Sequence, residues 1–335
     1  MENEAKFPYT IEPGNEFSEH WKNIESVKIF VGSTIWRAPK YYPSMAASIY
    51  NFKVRPDDVW VVTYPKSGTT LTQEIVWNIV NDDLEAATRI PLVKRFPYIE
   101  ATSHVSEGFI EDGRRTITDE EELKEFKEVI RPQWKILEEN PNRRFIKSHL
   151  PFALLPPSLL TSGCKVIYVA RNPKDAAVSL FKFRGRSAPP EAFEEFWDLF
   201  QNDSHCSSPY WEHVTEGWKQ RENKNVCFLF YEDVIRDQKA AIRKLAGFLE
   251  KDMTEAKVEK LAEHVNIKNM RNNPAIRGYG YYFRHVLGDD AKVKFRKGIV
   301  GDWTNFFTSE INARANKWIE ENYKKTDMRF PVKFD

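Results

Sequence analysis

No charge of one sign dominates this 335-residue chain: 50 Lys and Arg stand against 49 Asp and Glu. Without a net positive field, neither nucleic acid nor an anionic membrane is an expected partner, so any anionic ligand has to be held by local clusters. Cysteine is scarce. Cys164, Cys206 and Cys227 are odd in number and far apart, with no C-x-x-C pair. That spacing argues against a disulfide framework or a zinc site and for a reducing compartment, the cytoplasm. Long apolar runs are missing too; the longest, such as VWVV and VIYVA, are too short for a membrane-spanning helix. The opening residues MENEAKFPYTIEPGNEF contain no apolar stretch of the kind a secretory signal needs. Neither repeats nor low-complexity segments interrupt the chain.

What is present alternates. Residues 1–50 are mixed, with Trp, Tyr and Pro, and read as a covering arm of the same fold; residues 51–335 carry the main pattern. Val59–Tyr64 (VWVVTY), Arg144–Lys147 (RFIK), Cys164–Ala170 (CKVIYVA) and Val226–Phe230 (VCFLF) have strand length and composition. Helical spacing is predicted over Thr69–Val80, over Thr118–Glu139 with Thr118 and Glu121 as a capping box, from Asn172 onward, over Glu191–Phe200 and Trp211–Glu222, through Leu261, and over Glu310–Asn322. Short apolar strands alternating with helices predict a single α/β domain, a central, mainly parallel sheet flanked by helices. Two stretches without clear period, Ile99–Ile117 and Arg271–Phe295, read as lid loops or, equally, as variable surface.

Four segments carry candidate chemistry. TYPKSGTT (Thr63–Thr70) links a buried strand to a helix. Such a turn aims backbone N–H groups and a helix N-terminus at one anion, with Lys66, Ser67, Thr69 and Thr70 adding donors and Gly68 allowing close approach. It is P-loop-like without being a Walker A loop, which needs a glycine five positions before the glycine of a G-K-[ST]. RFIKSHLP places Lys147 and His149 just beyond a strand; histidine titrates near neutrality, as a general base requires. ARNPKDAAVS presents Arg171, whose planar fork suits phosphate oxygens, with Ser179 two turns into the next helix. FRKGIVGDW offers Arg296, Lys297 and Gly298 as a second anion site. Taken singly, each has a plainer reading: a structural His149, an Arg171–Asp175 ion pair, a solvated basic turn, a core Tyr231.

Position decides between these readings. Lys66, His149, Arg171 and Tyr231 each follow the carboxyl end of a predicted strand, where open α/β sheets bind their ligands. Two separate anion sites fit a nucleoside 3′,5′-bisphosphate better than ATP, and neither a Walker B pattern nor an acidic cluster for Mg²⁺ accompanies them.

Taken together and in this order, the four motifs resemble those of the cytosolic sulfotransferases, and the resemblance spans nearly the whole chain. It implies a sulfotransferase of the EC 2.8.2 class that moves a sulfuryl group from PAPS (3′-phosphoadenosine-5′-phosphosulfate) to a hydroxyl of a small apolar acceptor, releasing 3′,5′-ADP, with no metal. Lys66, Ser67, Gly68, Thr69 and Thr70 would then hold the 5′-phosphosulfate, and Arg171, Ser179, Arg296, Lys297 and Gly298 the 3′-phosphate. Tyr231 would lie beside the adenosine. His149 would be the base, with Lys66 and Lys147 stabilising charge at the transferring group. Where the family has a Trp stacked on adenine, this chain has Leu71, and its HTSF segment reads His264–Ile267 (HVNI). The positions of the family's dimer motif read Thr304, Thr308-Ser309 and Ala313, so the usual homodimer is not supported.

The aromatics Phe96, Tyr98, Phe109, Tyr279, Tyr281, Tyr282 and Phe283 are candidates for an acceptor pocket suited to phenols, sterols or retinoid-like alcohols or, most of them equally, for the core. Three rivals remain in view: an ATP-dependent P-loop kinase, a relative that follows sulfation with elimination as in the retinol dehydratase branch, and a non-catalytic nucleotide binder. Arg296→Ala is expected chiefly to raise the donor's KM; unchanged donor binding in a calorimetric titration would remove Arg296 from the 3′-site.

Overall fold

The computed structural model describes residues 6–14, 26–184, 188–277 and 298–332. Four strands form one parallel sheet in the order β5-β4-β6-β7: β4 Val59–Thr63, β5 Phe145–Ser148, β6 Lys165–Ala170 and β7 Val226–Phe230. These are the four segments expected from the sequence, and the α/β expectation holds.

Their side chains divide by alternation. Trp60, Val62, Ile146, Val166, Tyr168 and Phe228 enter one apolar cluster, and Val59, Val61, Phe145, Ile167, Val169, Cys227 and Leu229 enter the other. Each face is then covered. Helix Thr69–Asn81 and helices Gln238–Phe248 and Glu255–His264 pack on the second cluster, while Pro173–Arg184, Phe193–Gln201, Tyr210–Lys219 and Ser309–Tyr323 pack on the first. A parallel sheet needs both covers, and the continuous apolar runs of β4 and β6 are their sequence signature.

The first fifty residues are more ordered than an arm. β1 Thr10–Pro13, β2 Ser26–Val31 and β3 Thr34–Pro39 make an antiparallel sheet, followed by helix Pro43–Tyr50. Val27, Ile29, Trp36 and Ala38 turn its inner face into the same cluster as Trp60 and Tyr168.

Two helical expectations need correction. The single helix over Thr118–Glu139 is two, Glu120–Ile130 and Gln133–Glu139. Pro132 excludes helical geometry at the residue before it, and Arg131 accordingly sits at φ −74°, ψ 132°. The cap is Asp119, whose carboxylate accepts from the Glu122 N–H at 2.8 Å, rather than Thr118. Ile99–Ile117 is not a loop throughout: it holds a 3₁₀ turn, Ala101–His104, and a helix, Glu107–Thr116, capped by Ser106. Its two glycines blurred the period. Gly113 is there for packing, since an added Cβ would stand 2.2 Å from Phe126 Cε2 on the neighbouring helix. Of the second expected lid, residues 278–295 lie outside the described residues.

Beneath the site, at the amino ends of β4 and β5, Arg144 forks onto Asp58. Nε–Oδ1 is 2.7 Å and Nη2–Oδ2 is 2.6 Å, with both side chains almost fully buried. The guanidinium also lies 4.6 Å from the Phe52 ring centroid. Removing one partner leaves the other charge buried and unpaired, so Arg144→Ala is expected to cost about 3–5 kcal/mol of stability, read by denaturant unfolding.

Candidate active site

β4, β5, β6 and β7 are neighbours running the same way, so their carboxyl ends deliver Lys66, His149, Arg171 and Tyr231 to one edge of the sheet. The turn after β4 is built on left-handed backbone: Lys66 has φ 68° and Gly68, the cap of helix Thr69–Asn81, has φ 98°. Gly68 is required twice. A Cβ there would fall 2.5 Å from Cδ2 of Tyr231, so the loop is pressed onto that ring. Ser67 is fully buried, and among the described residues neither its Oγ nor the Nε of Arg171 has a hydrogen-bond partner. Two orphaned donors beside a helix N-terminus are what an anionic oxygen would satisfy. The Lys66 ammonium lies 4.3 Å from the ring centroid of Phe183.

On the adjoining strand, His149 Nδ1 is 2.9 Å from the carbonyl oxygen of Thr63 and 3.2 Å from its Oγ1. A carbonyl can only accept, so Nδ1 carries the proton and Nε2 keeps its lone pair. The Thr63 hydroxyl also meets that of Thr69 at 2.7 Å, tying the imidazole to the phosphate loop. Burial, and then the Lys147 cation, push the His149 pKa well below its ordinary value, while the Thr63 carbonyl opposes them. The ring is therefore neutral at physiological pH. Tyr98 packs edge-on against it, 5.3 Å between centroids, and also lies under the Lys147 ammonium at 4.2 Å.

Arg171 is the hub of the other half. Its Nη1 donates to the Lys66 carbonyl at 3.1 Å and Nη2 to the Ile299 carbonyl at 3.4 Å, and the guanidinium lies 4.4 Å from the Tyr231 ring centroid. The expected alternative, a simple Arg171–Asp175 pair, is loose at 4.0 Å. Asp175 instead serves the main chain, and its carboxylate accepts from the N–H groups of Gly301 at 2.7 Å and Trp303 at 3.0 Å. The Gly298–Trp303 segment is thus docked beside the loop at Lys66. Arg296 and Lys297 lie outside the described residues; Gly298, at φ 65°, is described and abuts Ile267, with a Cβ there 3.0 Å from Ile267 Cδ1. Ser179 is half-buried two turns along the helix that leaves Arg171, and Thr70 is half-buried in the first turn of its own helix.

The structure also shows the surroundings of several other residues singled out in the sequence. Leu71 is 8% exposed and belongs to the apolar cluster with Ile75 and Tyr231. Val265 is core, and the Asn266 side chain accepts from the Asn269 N–H at 2.9 Å as a helix cap. Thr308, the one dimer-motif residue retained, caps helix Ser309–Tyr323. Phe96 is core against Phe145, and Phe109 packs on Phe126; Tyr279, Tyr281, Tyr282 and Phe283 lie outside the described residues.

Sequence reasoning missed Thr63, Glu100 and Asp175. Thr63 was legible as the first residue of the TYPKSGTT segment but without a role, and Asp175 only as an i,i+4 partner of Arg171. Glu100, 1% exposed, accepts from the His149 N–H at 2.5 Å and from Ser148 Oγ at 3.0 Å. It lay inside a stretch read as a loop.

The family model described as Sulfotransferase domain matches residues 56–327. The chain belongs to the sulfotransferase family. It is 35% identical to sulfotransferase 1E1 of Rattus norvegicus over 301 residues, 88% of this chain and 92% of that protein. With sulfotransferase 1B1 of Canis lupus familiaris it shares 33% over 287 residues, 84% and 89% of the two chains. The crystal structure of retinol dehydratase in a complex with retinol and PAP superposes with a TM-score of 0.82 at 32% identity, covering 97% of this chain and 99% of the other. The complex of the same enzyme with androsterone and PAP gives 0.83. This sulfotransferase is accordingly an enzyme of sulfuryl transfer.

The loop geometry yields one test. Gly68→Ala must strain a left-handed backbone and collide with Tyr231, and is expected to lose about 1–3 kcal/mol in denaturant unfolding. An unaltered midpoint would show that the contact with Tyr231 relaxes freely.

Proposed function

We propose that this sulfotransferase carries a sulfuryl group from PAPS to the hydroxyl of a small lipophilic alcohol, with His149 as general base. The carrying observation is the His149 Nδ1–Thr63 carbonyl bond, which leaves Nε2 open as a proton acceptor within a residue network that includes the phosphate loop. The donor supplies an activated S–O bond whose leaving oxygen belongs to the 5′-phosphate. Ser67 Oγ and the N–H groups at the start of helix Thr69–Asn81 suit that phosphate, and Lys66 supplies mobile positive charge. Arg171, carried on the Tyr231 ring and with an Nε–H that has no partner among the described residues, suits the second phosphate, with Gly298, Arg296, Lys297 and Ser179 as its further partners. PAP, present in both retinol dehydratase complexes, carries the same pair of phosphates on adenosine.

In the transfer, His149 Nε2 takes the acceptor's hydroxyl proton as the new O–S bond forms and the old one breaks. Lys147 and Lys66 hold the negative charge that develops on the sulfuryl and leaving oxygens. No covalent enzyme intermediate is needed, so catalysis rests on positioning and electrostatics. The described acceptor side is aromatic, with Tyr98 against His149 and Phe183 under Lys66, which suits a flat apolar alcohol. Among the described residues no helix is long and apolar enough to cross a membrane. Cys164, Cys206 and Cys227 are all buried free thiols, and on that ground we place the enzyme's work in the cytoplasm.

A second reading is favoured by one observation, the coverage of 97% and 99% in the superposition on retinol dehydratase. For an allylic alcohol, sulfate is a good leaving group, and loss of a proton from the carbon chain would turn the sulfate ester into an alkene plus inorganic sulfate. Chromatography of the product from an allylic alcohol separates a persistent sulfate from an alkene.

His149→Ala is expected to lower kcat by at least about 100-fold while PAPS binding and the circular dichroism spectrum stay intact. Near-normal turnover in the folded variant would end the assignment.

A further inference from the structure

We propose that Glu100 is a positioning residue and the counter-charge of the transfer site, gripping the Lys147–His149 segment by its backbone. The inference rests on the reading of His149 as the base.

The grip is built from both sides. The Pro97–Ile99 segment runs alongside β5: the Lys147 N–H donates to the Pro97 carbonyl at 2.9 Å, and the Ile99 N–H donates to the Lys147 carbonyl at 3.0 Å. That pairing fixes Glu100 in register with His149, where its Oε1 receives the His149 N–H at 2.5 Å. Ser148 Oγ reaches both carboxylate oxygens, at 3.1 and 3.0 Å, and in turn accepts the Leu150 N–H at 3.0 Å. A carboxylate buried to 1% exposure is costly to ionise unless donors and a cation surround it. Here the donors are the His149 N–H and the Ser148 hydroxyl, and the cation is Lys147.

The charges around this pair are few. Burial pushes Glu100 up, to about 7, against its donors and Lys147; burial pushes Lys147 down, to about 8, against Glu100. Tyr42 and Tyr98 feel the Glu100 charge as phenols and stay protonated. The His149 ring is faced by Lys147, His213 and His104. His213 donates from Nε2 to the His149 carbonyl at 3.1 Å, and burial holds its pKa down to about 4, so it is neutral. His104 is held down to about 3 by burial, with Arg184 and Lys147 adding to it.

When His149 takes the acceptor's proton, an imidazolium arises beside the Lys147 cation. Among these groups Glu100 is the one anion. It acts through space and through the peptide N–H, whereas the Thr63 carbonyl orients the ring.

A purely mechanical clamp would predict a lower rate at every pH; a counter-charge predicts a moved pH profile. A nearby anion raises the pKa of a base and of an ammonium, so its removal lowers both. In Glu100→Gln, which keeps an acceptor oxygen for the His149 N–H, both limbs of the kcat/KM profile are expected to move to lower pH by about one unit. The optimum kcat is expected to fall about tenfold, with the PAPS KM within about twofold of the parent. Ser148→Ala removes a donor that favours the ionised carboxyl, and is expected to shift the limbs the same way by a smaller amount; it serves if Glu100→Gln folds poorly. NMR titration of the ¹⁵N-labelled His149 ring reads the same downward shift without turnover. Limbs and ring titration unmoved in a folded Glu100→Gln, or in Ser148→Ala should that variant stand alone, would overturn the counter-charge while leaving His149 as base. Full turnover in His149→Ala would instead remove the reading on which it rests.

Discussion

The bond between His149 Nδ1 and the Thr63 carbonyl holds the site together. It joins the ends of two adjacent parallel strands, and it exists because β4 and β5 pair in a register that puts Val62 opposite Ser148. Thr63 is the last residue of β4 and the first of the Thr63–Thr70 turn, and His149 is the first beyond β5. One contact therefore fixes the tautomer of the imidazole, its distance from the loop and the orientation of its free nitrogen. The buried Arg144–Asp58 fork at the opposite ends of the same strands holds that register from below.

The other half depends on Arg171 and its surroundings. The exit from β6 is clamped to the exit from β7, since the Glu232 carboxylate accepts both the backbone N–H and the side-chain amide of Asn172. From this platform Arg171 reaches the Lys66 and Ile299 carbonyls, and Asp175 holds Gly301 and Trp303. Residues more than a hundred positions apart converge because Lys66, Arg171 and Asp175 lie just beyond adjacent parallel strands and the Ile299–Trp303 segment is hydrogen-bonded onto them. Polar contacts with the main chain, rather than ion pairs, carry the convergence.

Much of this was legible in the sequence, for a physical reason. Parallel strands must be apolar on both faces, so β4, β6 and β7 were visible as runs, and the chemistry lies at their carboxyl ends, where Lys66, His149, Arg171 and Tyr231 could be read off by position. What stayed hidden depends on packing. Pro132 marked a break that the periodicity of Thr118–Glu139 concealed, and Gly113 looked like a loop residue although Phe126 demands it. Leu71, Val265 and Asn266 stood out as departures from a pattern, but their places in a core and in a helix cap follow only from neighbours that the pattern does not show. Glu100 was invisible for the same reason, because a carboxylate's partner across a sheet edge leaves no local spacing.

Gly68 and Tyr231 are one steric unit, with the missing methyl of the first filled by the ring of the second. The same ring is the bed for the Arg171 guanidinium. A lineage that acquired a side chain at position 68 would have to shrink position 231, and the arginine would lose its aromatic support. The two sites are therefore constrained to change together or not at all, although 163 positions separate them in the chain.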